Sequence, residues 1–155
     1  LDTGDMLLKR EISIREMPIQ AVHDLFAREG AELLLETISS LDAGTVDPVP
    51  QDHTRSSYAK KITKADFEFR PSDTVSKSLA RLRAFGYLKL RFHDKQFKLF
   101  QARRYPDGEP FDPTRCIRLE CSDGWLELLE IQPENAKRMS TQAYLIGHRS
   151  DAVLS

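Results

Sequence analysis

The side chains of this sequence most ready to do chemistry are cations, and the chemistry they suit is the holding of phosphate. Lys60, Lys61 and Lys64 cluster in a stretch without apolar periodicity, where an exposed arm can follow a phosphate path. Lys89, Arg91 and Lys98 alternate with apolar residues, which puts them on the polar side of strands, and Arg103 and Arg104 close the second of those strands. Arg81 lies in a helical pattern, and Lys137 and Arg138 stand just before the last one. The formal net charge of −1 hides this concentration. Residues 1–54 hold 4 basic and 11 acidic side chains, residues 55–104 hold 14 and 4, and residues 105–155 hold 5 and 9. A central segment at +10 costs self-repulsion unless something uses it. The usual user is a polyanion, whose phosphates give salt-sensitive affinity when they shed counterions. The other reading is a solvated basic face against which the acidic flanks fold.

Other reactive types carry less. Asp2 sits in Leu1-Asp2-Thr3-Gly4-Asp5, which by itself reads as a turn with a capping carboxylate. His23, His53, His93 and His148 are scattered and read as surface or cap residues. Cys116 and Cys121 are five apart, which puts them on opposite sides of one strand. This is neither a zinc nor a redox spacing, so no metal is expected and two reduced thiols in a core are. Trp125 and Tyr144 could stack on bases, but core packing is the expectation for both.

The elements that must position these groups follow from periodicity. Met6, Leu8, Ile12 and Ile14 fit one or two short strands over Asp5 to Ile14. Pro18 opens a helix through Ile19, Val22, Leu25 and Phe26; Gly30 breaks or bends it; Leu34, Ile38 and Leu41 continue the pattern, and Gly44 stops it. Residues 45–57 read as linker, and Tyr58 to Lys64 as a basic arm or short helix. A second helix runs from Pro71 and Ser72 to Phe85, with Val75, Leu79, Leu82 and Phe85 on one side and Gly86 as its stop. The period then changes to two. Leu88, Leu90 and Phe92 oppose Lys89 and Arg91, His93-Asp94-Lys95 makes a hairpin tip, and Phe97, Leu99 and Gln101 alternate against Lys98 and Phe100. Pro106 to Pro113 is a loop, and Ser122-Asp123-Gly124 turns a second hairpin between Cys116–Cys121 and Gly124–Ile131. Ser140 caps a closing helix that stops at Gly147. The fold class is therefore α+β, ending in a small open barrel of OB-like type.

No apolar run approaches the length of a membrane span, so no membrane partner is expected. No charged-then-apolar leader is visible. The chain opens on Leu1 rather than Met, which suggests a processed or trimmed piece, or one whose front is missing.

Three segments in one order carry a resemblance. Leu1-Asp2-Thr3-Gly4-Asp5-Met6-Leu7-Leu8 comes first, Tyr58-Ala59-Lys60-Lys61-Ile62-Thr63-Lys64 follows, and the stretch from Asp123-Gly124-Trp125 through Glu134-Asn135-Ala136-Lys137-Arg138-Met139 to Leu145 closes it. Together they resemble methionyl-tRNA formyltransferases from Leu1 to about Gly147. The resemblance implies transfer of a formyl group from 10-formyltetrahydrofolate to the amino group of methionine on initiator tRNA. It implies that residues 1–44 end a Rossmann-like catalytic domain, 45–70 form a basic linker, and 71–150 form an OB-like tRNA-binding domain. Family catalysis uses an Asn, a His and an Asp, and Asp2 is the position matched to the Asp. The other two precede it, so this chain alone is expected to be inactive. Lys60, Lys61, Lys64, Arg81, Lys89, Arg91, Lys98, Arg103, Arg104, Lys137 and Arg138 are the candidates for holding tRNA. A monomer is implied, in bacterial cytoplasm or in the mitochondrial matrix. The match departs at Gly86-Tyr87-Leu88, where the family usually carries a Trp-rich stretch. The alternative is a non-catalytic basic RNA-binding module of formyltransferase descent. A formyltransferase acting on amino sugars or folate would not need the basic stripe.

Overall fold

Local sequence sets up two separate units, Leu1–Lys61 and Ile62–Ser155. The structure, a computed structural model, describes residues 3–92, 95–148 and 153–154. In the first unit, Pro18 stands at the N-cap with φ −69°, and the helix α1 (Ile19–Asp42) follows without interruption. Gly30 neither breaks nor divides it, because neighbouring Ala, Leu and Glu residues keep the helix favourable on both sides. Gly44 adopts φ +65° just past the end, a backbone that glycine takes without strain. The strands expected over Asp5 to Ile14 are absent. Met6 makes one antiparallel bridge with Val49, and the rest of the segment is irregular because no neighbouring strand supplies a ladder. Arg10 ties it to α1 instead, reaching Glu29, Glu32 and Glu36 at 2.8, 3.2 and 2.7 Å. These three carboxylates raise the Arg10 guanidinium above its ordinary range, Glu29 most of all.

The second unit begins with a 3-10 turn, Lys64–Phe67, closed where Asp66 accepts from the Thr63 backbone and hydroxyl at 2.8 Å each. The helix α2 is Val75–Phe85, shorter than expected. Pro71 and Ser72 lie in a turn in which Asp73 N–H bonds Arg70 O at 3.0 Å, and the N-cap is Thr74, whose hydroxyl accepts from Lys77 N–H. Gly86 ends α2 with φ +77°. Then come β1 (Leu88–Phe92), β2 (Lys95–Arg104), β3 (Ile117–Cys121), β4 (Gly124–Pro133), β5 (Met139–Ser140), α3 (Thr141–Gly147) and β6 (Val153–Leu154). The sheet order is β1-β2-β4-β3-β6, with β5 on β4. All pairs are antiparallel except β3 with β6. It is a mixed helix-and-sheet unit, and among the described residues the sheet stays open.

Alternation selects one face for the core. Leu88, Leu90, Phe97, Leu99, Ile117, Leu119, Leu126, Leu128 and Ile131 point into it, and Val75, Leu82, Tyr144 and Leu145 of α2 and α3 cover it. Each such fully buried side chain contributes about 1.5–3 kcal/mol. Ser140 caps α3 by accepting from Ala143 N–H at 3.2 Å. The expected alternation fails at one place. The β2–β4 register shifts twice, by an extra β2 residue between Leu99 and Gln101 and an extra β4 residue between Glu130 and Leu128, so Gln101 is exposed and Ala102 packs against the core. The tip residues His93 and Asp94 lie outside the described residues, between strands whose register is Phe92 with Lys95.

Candidate nucleic-acid interface

The outer face of the sheet, opposite the core, gathers a large share of the cations. Lys89 and Lys98 are direct cross-strand partners on β1 and β2, and Arg91 stands opposite Gln96 in the same register. Like charges placed directly opposite are destabilising unless a counter-charge sits between them. Glu68, bridged alongside Lys89, supplies part of that at 3.8 Å from Nζ. On the other flank Lys98 faces Gln132 of β4. The two lysines line a cleft of about 230 Å³ together with Gln96, Gln132, Glu134 and Asn135.

The same face carries aromatic rings. Phe67 packs on Phe85 at 5.1 Å and on Tyr87 at 5.0 Å, and Tyr87 lies 6.1 Å from Phe100. Lys98 Nζ stands 5.2 Å over the Tyr87 ring, and the Arg138 guanidinium 4.2 Å over Phe100. Arg138 also pairs with Glu130 across the β4–β5 ladder, which raises its guanidinium above its ordinary range. Sequence reasoning passed over Tyr87 and Phe100 as binding groups. Their signal was present, since each is two residues from a lysine of the polar register.

The remaining expected cations are placed variously. Lys60, Lys61, Lys64 and Lys137 are exposed, Lys60 and Lys61 at the end of the first unit and Lys64 on the 3-10 turn of the second. Arg81 is turned inward. Its side chain is only 12% exposed, and it reaches Asp73 at 2.8 Å and the Asp66 and Glu68 carbonyls at 2.7 Å each. A guanidinium so engaged is a staple between the linker turn and α2. Arg103 and Arg104 do not act together, because consecutive strand residues face opposite sides. Arg103 opposes Glu127 on the outer face and donates to it at 2.6 Å. Arg104 opposes the buried Leu126 and reaches the Asp123 carbonyl at 3.0 Å. Asp2 lies outside the described residues.

The polar ends of the remaining groups follow packing. Tyr144 is buried and meets Phe97 edge-on at 5.6 Å. Trp125 is half-buried, with the Arg118 guanidinium 4.1 Å over its ring and 4.1 Å over Phe111. His148 stacks on Tyr144 at 4.3 Å, and His23 is exposed beside Asp24. Cys116 and Cys121 are free and buried. Among the described residues no group of three or more His, Cys, Asp or Glu is arranged to hold a metal, and no helix is long and apolar enough to cross a membrane.

Comparison with known proteins gives this surface a context. A family described as Formyl transferase, C-terminal domain matches residues 61–149. Over 96% of its length the chain is 33% identical to a methionyl-tRNA formyltransferase of Caldanaerobacter subterraneus subsp. tengcongensis, covering 51% of that protein. It is 30% identical over 98% of its length to one from Sulfurihydrogenibium sp., covering 53%, and 31% identical over 97% to one from Clostridium acetobutylicum, covering 52%. The chain thus spans about half the length of the curated relatives it matches. Among solved structures, HypX from Aquifex aeolicus superposes with TM-score 0.65 at 15% identity, over 99% of this chain and 30% of that one. A HypX structure in complex with tetrahydrofolic acid superposes with TM-score 0.63 at 16% identity, over 98% and 29%. These structural matches speak to the fold alone.

Proposed function

Because the chain belongs to the formyl transferase C-terminal domain family, we propose that it is the carboxy-terminal half of a methionyl-tRNA formyltransferase and that its own task is to hold initiator methionyl-tRNA. The observation that carries this is the like-charged Lys89–Lys98 pair on an exposed sheet face, inside a segment of net charge +10. Such a pair gains most when a phosphate lies between its two ammonium groups. Lys64, Arg91, Lys137 and Arg138 of the same unit, and Lys60 and Lys61 at the end of the first unit, are further candidates for backbone contacts, which position a nucleic acid without reading its sequence.

In this reading residues 1–44 end the catalytic domain, 45–70 link, and 71–150 form the tRNA-holding domain, of OB-like type. The exposed apolar side chains of α1, among them Leu34, Leu35, Ile38 and Leu41, support a place for that helix against a larger sheet. The formyl donor is 10-formyltetrahydrofolate. Asp2 orients a His and stabilises its protonated form while the methionine amine attacks the formyl carbon. Donors supplied outside this chain meet the charge that develops on oxygen. A monomer in bacterial cytoplasm or mitochondrial matrix suits this role.

The test is a titration of the chain with initiator tRNA across a salt series. Binding should weaken steeply with salt, and Lys60→Ala with Lys61→Ala should flatten the log–log slope by roughly one to two. An unchanged slope removes these two lysines from the interface, and no binding at low salt overturns the tRNA-holding role.

A further inference from the structure

The outer face of the sheet carries more than phosphate contacts require. A duplex presents a backbone and hides its bases, so a surface that grips only a duplex needs cations and no rings. Here the cations are interleaved with aromatic rings. Tyr87 and Phe100 project from the same face as Lys89 and Lys98, 6.1 Å apart and half-buried rather than enclosed. Each ring has a cation over it, Lys98 on Tyr87 and Arg138 on Phe100. Phe67 stacks on Tyr87 at 5.0 Å with 30° between planes. The adjoining cleft adds amide donors and acceptors from Gln96, Gln132 and Asn135.

Resting on the tRNA-holding role above, and deepening it, we propose that this face binds unpaired nucleotides of an RNA strand. Tyr87 and the Arg138–Phe100 pair are the stacking surfaces, and Lys89 and Lys98 hold the intervening phosphate. Both an arginine guanidinium and an aromatic ring present planes on which a base can stack whatever its identity. The acidic neighbours, Glu68 at Lys89, Glu130 at Arg138 and Glu134 in the cleft, keep the unoccupied face from self-repulsion. They also make the exchange of carboxylate for phosphate sensitive to salt.

Two labelled probes test this with the whole chain: a short oligoadenylate and an RNA duplex of similar length. Tyr87→Leu and Phe100→Leu should each weaken oligoadenylate binding by roughly tenfold, the worth of one stacked base, while duplex binding stays within about twofold. The salt slope should be unchanged in both. Lys98→Gln should instead reduce the oligoadenylate slope by roughly 0.7. Tyr87→Phe keeps the ring and should bind like the parent, and Arg138→Lys keeps the charge but loses the plane and should weaken only the single strand. Trp125 fluorescence reports folding of each variant. Folded leucine variants that bind oligoadenylate undiminished, or lose both probes equally, overturn the proposal. A parent chain that binds the duplex but not the single strand overturns it too, and leaves the tRNA-holding role standing. Failure to bind either probe removes both.

Discussion

Replacing Arg81 with Met separates a phosphate contact from a structural staple. The guanidinium joins three things, the Asp73 carboxylate at 2.8 Å and the carbonyls of Asp66 and Glu68 at 2.7 Å each. Asp73 is 4% exposed, and its second oxygen meets Lys77 at 2.7 Å. Removing one partner of a buried ion pair costs about 3–5 kcal/mol, because the other charge stays buried. Lys77 remains beside Asp73 but is 62% exposed and already screened by water, so it recovers part of the loss. The two freed carbonyls sit near the surface and rehydrate. The expected destabilisation is therefore about 3 kcal/mol, near the lower end of the range. For a domain of this size that lowers Tm by about 12–24 °C.

The assay is urea unfolding followed by the fluorescence of Trp125, the one tryptophan of the chain, beside salt titration of tRNA binding on the same protein. Arg81→Lys should fall between parent and Met, since a point charge can meet Asp73 but cannot span both carbonyls. If Arg81 were a phosphate contact, Arg81→Met would leave stability within about 0.5 kcal/mol. It would also cut the salt slope by roughly one. That pair of results would refute the staple.

The same carboxylate gives a pH dependence. The Lys77 hydrogen bond, ahead of the opposing effect of burial and with help from Arg81, holds the Asp73 carboxyl below its usual range. Its contribution is thus complete above the unfolded value of about 4 and is lost as pH falls through the lower folded value. The stability advantage of the parent over Asp73→Asn should be constant from neutral pH down to about 5 and shrink below about 4, as read from urea midpoints. Burial pushes the Cys116 and Cys121 thiols up. Iodoacetamide at neutral pH should therefore leave both unmodified in the native chain and label both in urea, by mass spectrometry. Gly124 has φ +143°, and a Cβ there would stand 3.2 Å from Arg104 Nη2 and 3.8 Å from Val75 Cγ2. Gly124→Ala should cost about 1–3 kcal/mol in the urea assay.

Much of the second unit was legible because its period is unambiguous. Leu88, Leu90, Phe97 and Leu99 face the core as two-residue alternation requires, Gly86 ends α2, and Ser140 caps α3. Where the reading failed, the cause was tertiary. The paired register shifts after Leu99 leave no local signature, since they arise where β2 meets β4. The start of α2 moved from Pro71 to Val75 because the β3–β4 turn docks there. Asp123 accepts from Val75 N–H at 2.6 Å, and Ser122 N–H bonds Asp73 O at 3.1 Å. Neither contact, across nearly fifty residues, can be read locally. In the first unit, apolar spacing over Met6 to Ile14 suggested strands, yet a strand needs a neighbour, and among the described residues only Val49 provides a bridge.

The basic segment shows how far charge counting reaches. Its excess of +10 is a property of the chain, whereas affinity depends on which charges still face outward after folding. The acidic flank answers part of it, as Arg103 meets Glu127, Arg104 meets Asp123 and Arg138 meets Glu130. Arg81 is drawn inward by Asp73. The solvated-face reading therefore describes these arginines, and the polyanion reading is the proposal for the lysines. What remains for a phosphate backbone is mainly lysine: Lys60, Lys61, Lys64 and Lys137 exposed, and Lys89 and Lys98 paired across β1 and β2. Arginines clamp carboxylates with a planar fork, and lysines stay hydrated point charges. The division of labour follows from that difference. The salt dependence of RNA binding should accordingly respond to lysine substitutions, and substitution of the inward-drawn Arg81 should register first in folding.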